Sequence, residues 1–188
     1  MAKLETGMKM PNFTVDTVFG TEIHKNMTFE SLVDGKPTFF WFQRYIGCPP
    51  CRMDVHFLSL AHPEFTAKGA NIVVVMQSKP EIVLRDMNGQ TLPFHLVCDP
   101  TESLYKELEI GSFTPESFAN MNEIETARLA KKIEGVKANG YEHGDYEGNE
   151  AQSPAFFAVD GNMNVLEAHY ARNLGDIPMA EEVLEKYF

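Results

Sequence analysis

With 188 residues, 44% of them hydrophobic, the chain has enough apolar material for a packed core, which excludes disorder as its whole character. Lys and Arg total 16 against 27 Asp and Glu, a formal net charge of −11 at pH 7, so no broad basic field invites a nucleic-acid backbone or an anionic membrane, and neither is expected as a partner. The opening MAKLETGMKM lacks the apolar stretch of a secretory leader and no later run approaches the roughly 18 apolar residues of a spanning helix, which predicts a soluble, cytoplasmic protein.

Phe13, Val15 and Thr17 alternate with polar neighbours as far as Phe19-Gly20, and Thr21 to His24 returns, which predicts a hairpin. Residues Pro37 to Gln43 are apolar on consecutive positions, as in a central strand covered on both faces. From Pro49 to about Ala61 the period is helical. Met53, Phe57, Leu60 and Ala61 share one face, Cys51, Val55 and Leu58 an adjoining one, and Arg52, His56 and Ser59 a polar stripe. Pro63 is expected to bend or end this largely buried helix, and Gly69 to close the next turn. Asn71 to Gln77 then reads as a second buried strand. Because such crossovers are right-handed, the Cys48-Pro-Pro-Cys51 segment falls at the C-terminal edge of a parallel pair, where open α/β sheets keep their sites.

Pro80 to Asn88 reads as a short helix stopped at Gly89, and Pro93 to Cys98 as a strand. Asp99 as N-cap, Pro100 at the first helical position and Glu102 reaching back predict a helix whose inner face is Leu104, Tyr105 and Leu108. A further helix is expected from Pro115 to Ile133, its apolar stripe interrupted by Asn122 and Glu125, followed by a glycine-rich acidic stretch from Asn139 to Gly148. Ala155–Val159, a turn at Asp160–Asn162 and Val165–Ala171 form a hairpin, and Pro178 opens a last helix with Val183, Leu184 and Tyr187 inward. With no internal repeat, residues 1–188 read as one domain in which 112–152 is an insertion that covers part of the sheet edge or shapes access to Cys48.

Two cysteines spaced C-x-x-C at a helix start can close a small disulfide ring, and the helix terminus favours the thiolate of the first. With Cys48 as N-cap, Pro50 has no N–H to offer its sulfur, so only Cys51 donates from the backbone. Arg44 or Arg52 is therefore expected to stabilise the Cys48 thiolate. The competing readings are two small core residues or half of a metal site. No second C-x-x-C or suitably spaced histidine pair completes a zinc tetrahedron, so no metal or cofactor is expected. His56 reads as a surface residue, Cys98 as a buried inert thiol, and the acidic stretch carries neither a phosphate-binding nor a calcium-loop pattern.

The layout resembles the thioredoxin fold, and Arg44-Tyr-Ile-Gly-Cys-Pro-Pro-Cys-Arg52, Asp99-Pro100, Gln152-Ser-Pro154 and Ala168 to Pro178 resemble the redoxin branch of alkyl hydroperoxide reductase and thiol-specific antioxidant (AhpC/TSA) proteins, which is peroxiredoxin-like. The resemblance implies an α/β fold: a central mixed sheet flanked by helices, with an N-terminal hairpin and the insertion before the C-terminal β-hairpin. It implies a cis peptide before Pro154, facing the cysteines and shaping the docking groove, and an arginine near the reactive sulfur, Arg44 or Arg172. Tyr45 and Trp41 stand where a peroxiredoxin has a threonine and a proline. Gly47 and Phe42 stand where a thioredoxin has a tryptophan and a buried carboxylate. The expected activity is that of a thiol-disulfide oxidoreductase, with Cys48 as nucleophile and Cys51 as resolving thiol acting through a mixed disulfide. Alternatives are a thiol peroxidase passing through a Cys48 sulfenic acid, and a binding module without turnover. Expected partners are a small-molecule or protein disulfide or a peroxide, a thiol reductant, and a second copy of the chain as a homodimer.

Overall fold

The computed structural model describes residues 3–188. The N-terminal hairpin is β1 (Thr14–Gly20) with β2 (Glu22–Thr28), followed by α1 (Phe29–Val33), β3 (Thr38–Phe42), α2 (Pro49–Ala67) and β4 (Asn71–Met76). Then come α3 (Pro80–Met87), β5 (Leu92–Cys98), α4 (Ser103–Glu107), α5 (Pro115–Ala119), α6 (Glu123–Asn139), β6 (Ala155–Val159), β7 (Val165–Tyr170) and α7 (Ala180–Tyr187). The seven strands form one sheet in the order β2-β1-β5-β4-β3-β6-β7. β3, β4 and β5 pair in parallel and the remaining pairs are antiparallel, so the sheet is mixed as expected.

The strands β3 and β4 read as unbroken apolar runs because alternate residues feed two cores. Phe39, Trp41, Ile72, Val74 and Met76 face α2, α3 and α7; Phe40, Phe42, Val73 and Val75 face α1 and α4. β3 lies inside the sheet as its sequence predicts, although the middle position belongs to β4.

Three boundaries and the exposure of one residue differ from expectation. Pro63 does not end α2, which runs on to Ala67. Phe65, two residues beyond, is completely buried edge-on to Phe39 and Trp41, and that burial, worth roughly 1.5–3 kcal/mol, offsets most of the cost of an internal proline. Leu60, assigned to an inner face, is 66% exposed, whereas Asp54 on the same helix is buried. Asp99 caps at longer range: its carboxylate accepts from the N–H groups of Ser103 (3.0 Å) and Leu104 (2.8 Å), so α4 starts three residues after Pro100. The helix expected over 115–133 is two helices, because the Asn122 side chain caps α6 by accepting from Glu125 N–H at 2.9 Å.

The segment 112–152 leaves and rejoins the sheet side by side. Ser112 bridges Gln152, and Phe113 N–H donates to Ala151 C=O at 2.8 Å. No helix among the described residues is long and apolar enough to cross a membrane.

Candidate active site

β3 delivers the chain to the site. After Phe42 the backbone turns through Gln43–Gly47 and enters α2 with Cys48 as N-cap, its φ of −77° and ψ of 114° extended, and with prolines in the first two helical positions. The Cys51 N–H reaches the Cys48 sulfur at 3.4 Å, the one backbone donor that the Pro-Pro insert leaves. Cys48 Sγ donates to Cys51 Sγ at 2.6 Å, and both side chains are fully buried.

A guanidinium completes the sulfur's surroundings. Arg44 Nη2 donates to Cys48 Sγ at 2.8 Å, and Nη1 to the Glu150 carbonyl at 2.5 Å. The guanidinium lies over the rings of Tyr45 and Phe113, 5.4 and 5.6 Å from their centroids. Of the two arginines weighed from sequence, Arg44 takes this place. Arg52 donates instead to the Asp86 carbonyl at 2.5 Å and lies 4.5 Å over the Tyr141 ring.

The two sulfurs titrate as one system. Burial pushes the Cys48 thiol well above its ordinary value, and its hydrogen bond to Cys51 adds to that rise. Burial would raise Cys51 as well, but the hydrogen bond from Cys48 and the Arg44 charge outweigh it and bring Cys51 down to about 6. At neutral pH the pair therefore carries one proton and one negative charge. The charge is shared along the S–H···S contact, whose proton moves between the two sulfurs beneath the Arg44 guanidinium.

A strap from Tyr141 to Glu150 closes over this arrangement. Gly144 N–H donates to Gly47 C=O at 2.8 Å, and a side chain on Gly47 would strike the Asp145 carbonyl oxygen. Tyr45 Oη meets His143 Nε2 at 3.2 Å. The Glu147 carboxylate accepts from Ser78 Oγ (2.7 Å) and Lys79 N–H (2.9 Å), and Gln77 Oε1 accepts from Asn149 N–H at 2.7 Å.

Behind the sulfurs lies a charge pair absent from the sequence reading. Asp54, one turn after Cys51, accepts from Lys132 Nζ of α6 at 2.8 Å, and Lys132, 1% exposed, also donates to the Leu174 carbonyl at 2.8 Å. Burial raises the Asp54 pKa against the opposing pull of Lys132, and the Asp54 charge in turn raises Cys51. The signal was a carboxylate on the inner side of a buried helix, masked because α6 was not resolved from α5 in sequence.

Pro154 and Arg172 sit differently from what the resemblance implied. No peptide among the described residues is cis, so the bond before Pro154 is trans; the residue is buried at the entry to β6, where its carbonyl accepts from Ala171 N–H at 3.1 Å. A trans bond carries the chain straight from the Gly111–Ser153 hydrogen bond (2.9 Å) into that pairing. Arg172 pairs with Glu125 and, at 3.1 Å, with Asp176, while the guanidinium on the sulfur belongs to Arg44. Cys98 is buried, and burial raises its thiol pKa, consistent with an inert residue. Among the described residues no cluster of three His, Cys, Asp or Glu could hold a metal.

The sequence of residues 6–168 matches the model of the AhpC/TSA family. The chain belongs to the AhpC/TSA family. No curated protein is significantly similar to it. Solved structures of similar fold include AhpC of Enterococcus faecalis (TM-score 0.67, 14% identity, 96% of this chain and 89% of that one) and the reduced 2-Cys peroxiredoxin of Plasmodium vivax (0.66, 14%, 96% and 93%). A yeast mitochondrial 1-Cys peroxiredoxin is similar as well (0.64, 14%, 96% and 73%). The fold is thus the thioredoxin-like α/β fold of AhpC/TSA proteins, and membership places this chain among thiol-dependent oxidoreductases.

Proposed function

We propose that this AhpC/TSA protein is a dithiol oxidoreductase that cycles Cys48 and Cys51 between dithiol and internal disulfide. The observation that carries the reading is the 2.6 Å contact between the two sulfurs beneath the Arg44 guanidinium: nucleophile, resolving thiol and counter-charge in one place. With the proton passed to Cys51, the Cys48 thiolate attacks a substrate disulfide, forming one S–S bond and expelling one thiolate. Cys51, deprotonated again, displaces the second thiolate and closes the internal bond, so two electrons leave the dithiol and the substrate departs as two thiols. A thiol reductant restores the starting state, in a compartment such as the cytoplasm that keeps cysteines reduced.

A second reading changes only the oxidant. Both sulfurs are fully buried, and a hydroperoxide, being small, needs less of an opening to reach them than a protein disulfide does. The Cys48 thiolate then attacks the peroxide oxygen, the O–O bond breaks, an alcohol leaves, and Cys51 displaces the sulfenic hydroxyl as water. Purified protein assayed for small-disulfide reduction and for thiol-coupled hydroperoxide consumption separates the two. Neither turnover, together with no Cys48–Cys51 bond by mass spectrometry after mild oxidation, overturns both.

A further inference from the structure

The Arg44 guanidinium touches both the dithiol and the strap. Nη2 donates to Cys48 Sγ at 2.8 Å and Nη1 to the Glu150 carbonyl at 2.5 Å. Arg44 is half-buried, its Nε is buried without a hydrogen-bond partner, and among the described residues it forms no ion pair with a carboxylate. Its counter-charge is therefore the one negative charge that the two sulfurs share at neutral pH. Beside the carbonyl that Arg44 holds, the Asn149 N–H donates to Gln77 Oε1 at 2.7 Å and the Ala151 N–H to Asn149 Oδ1 at 3.0 Å.

Oxidation of the pair changes its charge and little else at the start of α2. The sulfurs already touch at 2.6 Å, so their bond forms without unwinding the helix. A substrate disulfide takes two electrons from the pair together with its one proton and leaves as a thiol and a thiolate, so the protein's own sulfurs go from one negative charge to none. Arg44 then stands half-buried against a neutral disulfide, its charge-assisted hydrogen bond to sulfur gone. We propose that the 141–150 strap is a redox-sensitive cover, which the ionised dithiol holds shut through Arg44 and which disulfide formation loosens as the guanidinium turns out to water and releases the Glu150 carbonyl. The inference rests on the dithiol reading above and assigns its regulation. The Glu150 carboxylate is exposed and is felt at the adjoining Tyr45, so a partner for the released guanidinium stands on the solvent side. Glu147 on Ser78 (2.7 Å) and Asp145 on Arg85 (2.9 Å) keep the middle of the strap attached in either state, which confines the loosening to its Gly148–Glu150 end.

The test is amide hydrogen exchange of the full-length protein, reduced and after mild oxidation, read at Asn149 and Ala151, whose N–H groups are hydrogen-bonded in the closed strap. Oxidation is expected to speed both about tenfold or more, the weight of a hydrogen bond to a charged group in a local opening. In Arg44→Met the two amides are expected to exchange at one rate in both redox states. Arg44→Lys keeps the charge but not the fork that spans sulfur and carbonyl, so the difference is expected to shrink by roughly twofold or more, and this variant decides the matter if Arg44→Met does not fold. Unchanged exchange in the oxidised wild type, with the loss of two thiols confirmed, overturns the cover and leaves the dithiol chemistry standing. A difference undiminished in either variant assigns the loosening to the S–S bond itself and overturns the part given to Arg44. If mild oxidation never joins Cys48 to Cys51, the dithiol reading falls and the cover with it.

Discussion

Arg44 holds the Cys48 sulfur with one guanidinium nitrogen and the Glu150 carbonyl with the other, so the side chain that tunes the thiols also pins one end of the strap above them. Removing it acts on both. In Arg44→Ala the positive charge that favours the thiolate is lost, and the first ionisation of the pair moves up from about 6 by roughly one to three pH units. The rate of iodoacetamide alkylation against pH reports this midpoint. A midpoint that stays put in Arg44→Ala removes Arg44 from the chemistry.

The sign at Asp54 is opposite. Its negative charge raises Cys51, so Asp54→Asn is expected to lower the alkylation midpoint. The same change strips Lys132 of its carboxylate within the interior, at a cost of ~3–5 kcal/mol in unfolding free energy. Combining it with Lys132→Met is expected to recover much of that loss in urea titrations. Strictly additive losses in the double variant would argue against a coupled pair.

Gly47 and Gly144 meet backbone to backbone, which requires the absence of a side chain. Gly47→Ala is expected to lift the strap by overpacking, about 1–3 kcal/mol, and to speed modification of the sulfurs by roughly tenfold or more. Hydrogen exchange over Tyr141–Glu150 should accelerate with it. Unaltered exchange would mean that the strap yields elsewhere.

Cys51→Ser leaves an attacking sulfur without its trap. After mild oxidation the wild type is expected to lose two titratable thiols and keep Cys98, whereas Cys51→Ser accumulates a mixed disulfide or sulfenic acid on Cys48. Mass spectrometry distinguishes these states, and an intact Cys48 thiol in Cys51→Ser would assign the first attack to the other sulfur.

Strands were the most legible part of the sequence. Consecutive apolar residues in Thr38–Phe42 and Asn71–Met76 admit few environments other than a doubly covered sheet, and the hairpins carry their own turn signals. Once Cys48 is taken as N-cap, Cys51 as its lone backbone donor follows from proline chemistry. What stayed hidden depends on distant partners. Pro63 is tolerated because of Phe65, a matter of packing, and Asp54 is buried because a lysine 78 residues away reaches it. The trans bond before Pro154 shows the limit of resemblance, since the isomer is chosen by the local hydrogen-bonded entry to β6.

The lysine that answers Asp54 is contributed by α6, part of the segment that departs from the sheet at Ser112 and returns at Gln152. The excursion therefore covers Asp54 and neutralises it with the same helix: losing Lys132 alone leaves the carboxylate buried and unpaired one helical turn from the dithiol, and losing Asp54 alone leaves the lysine so.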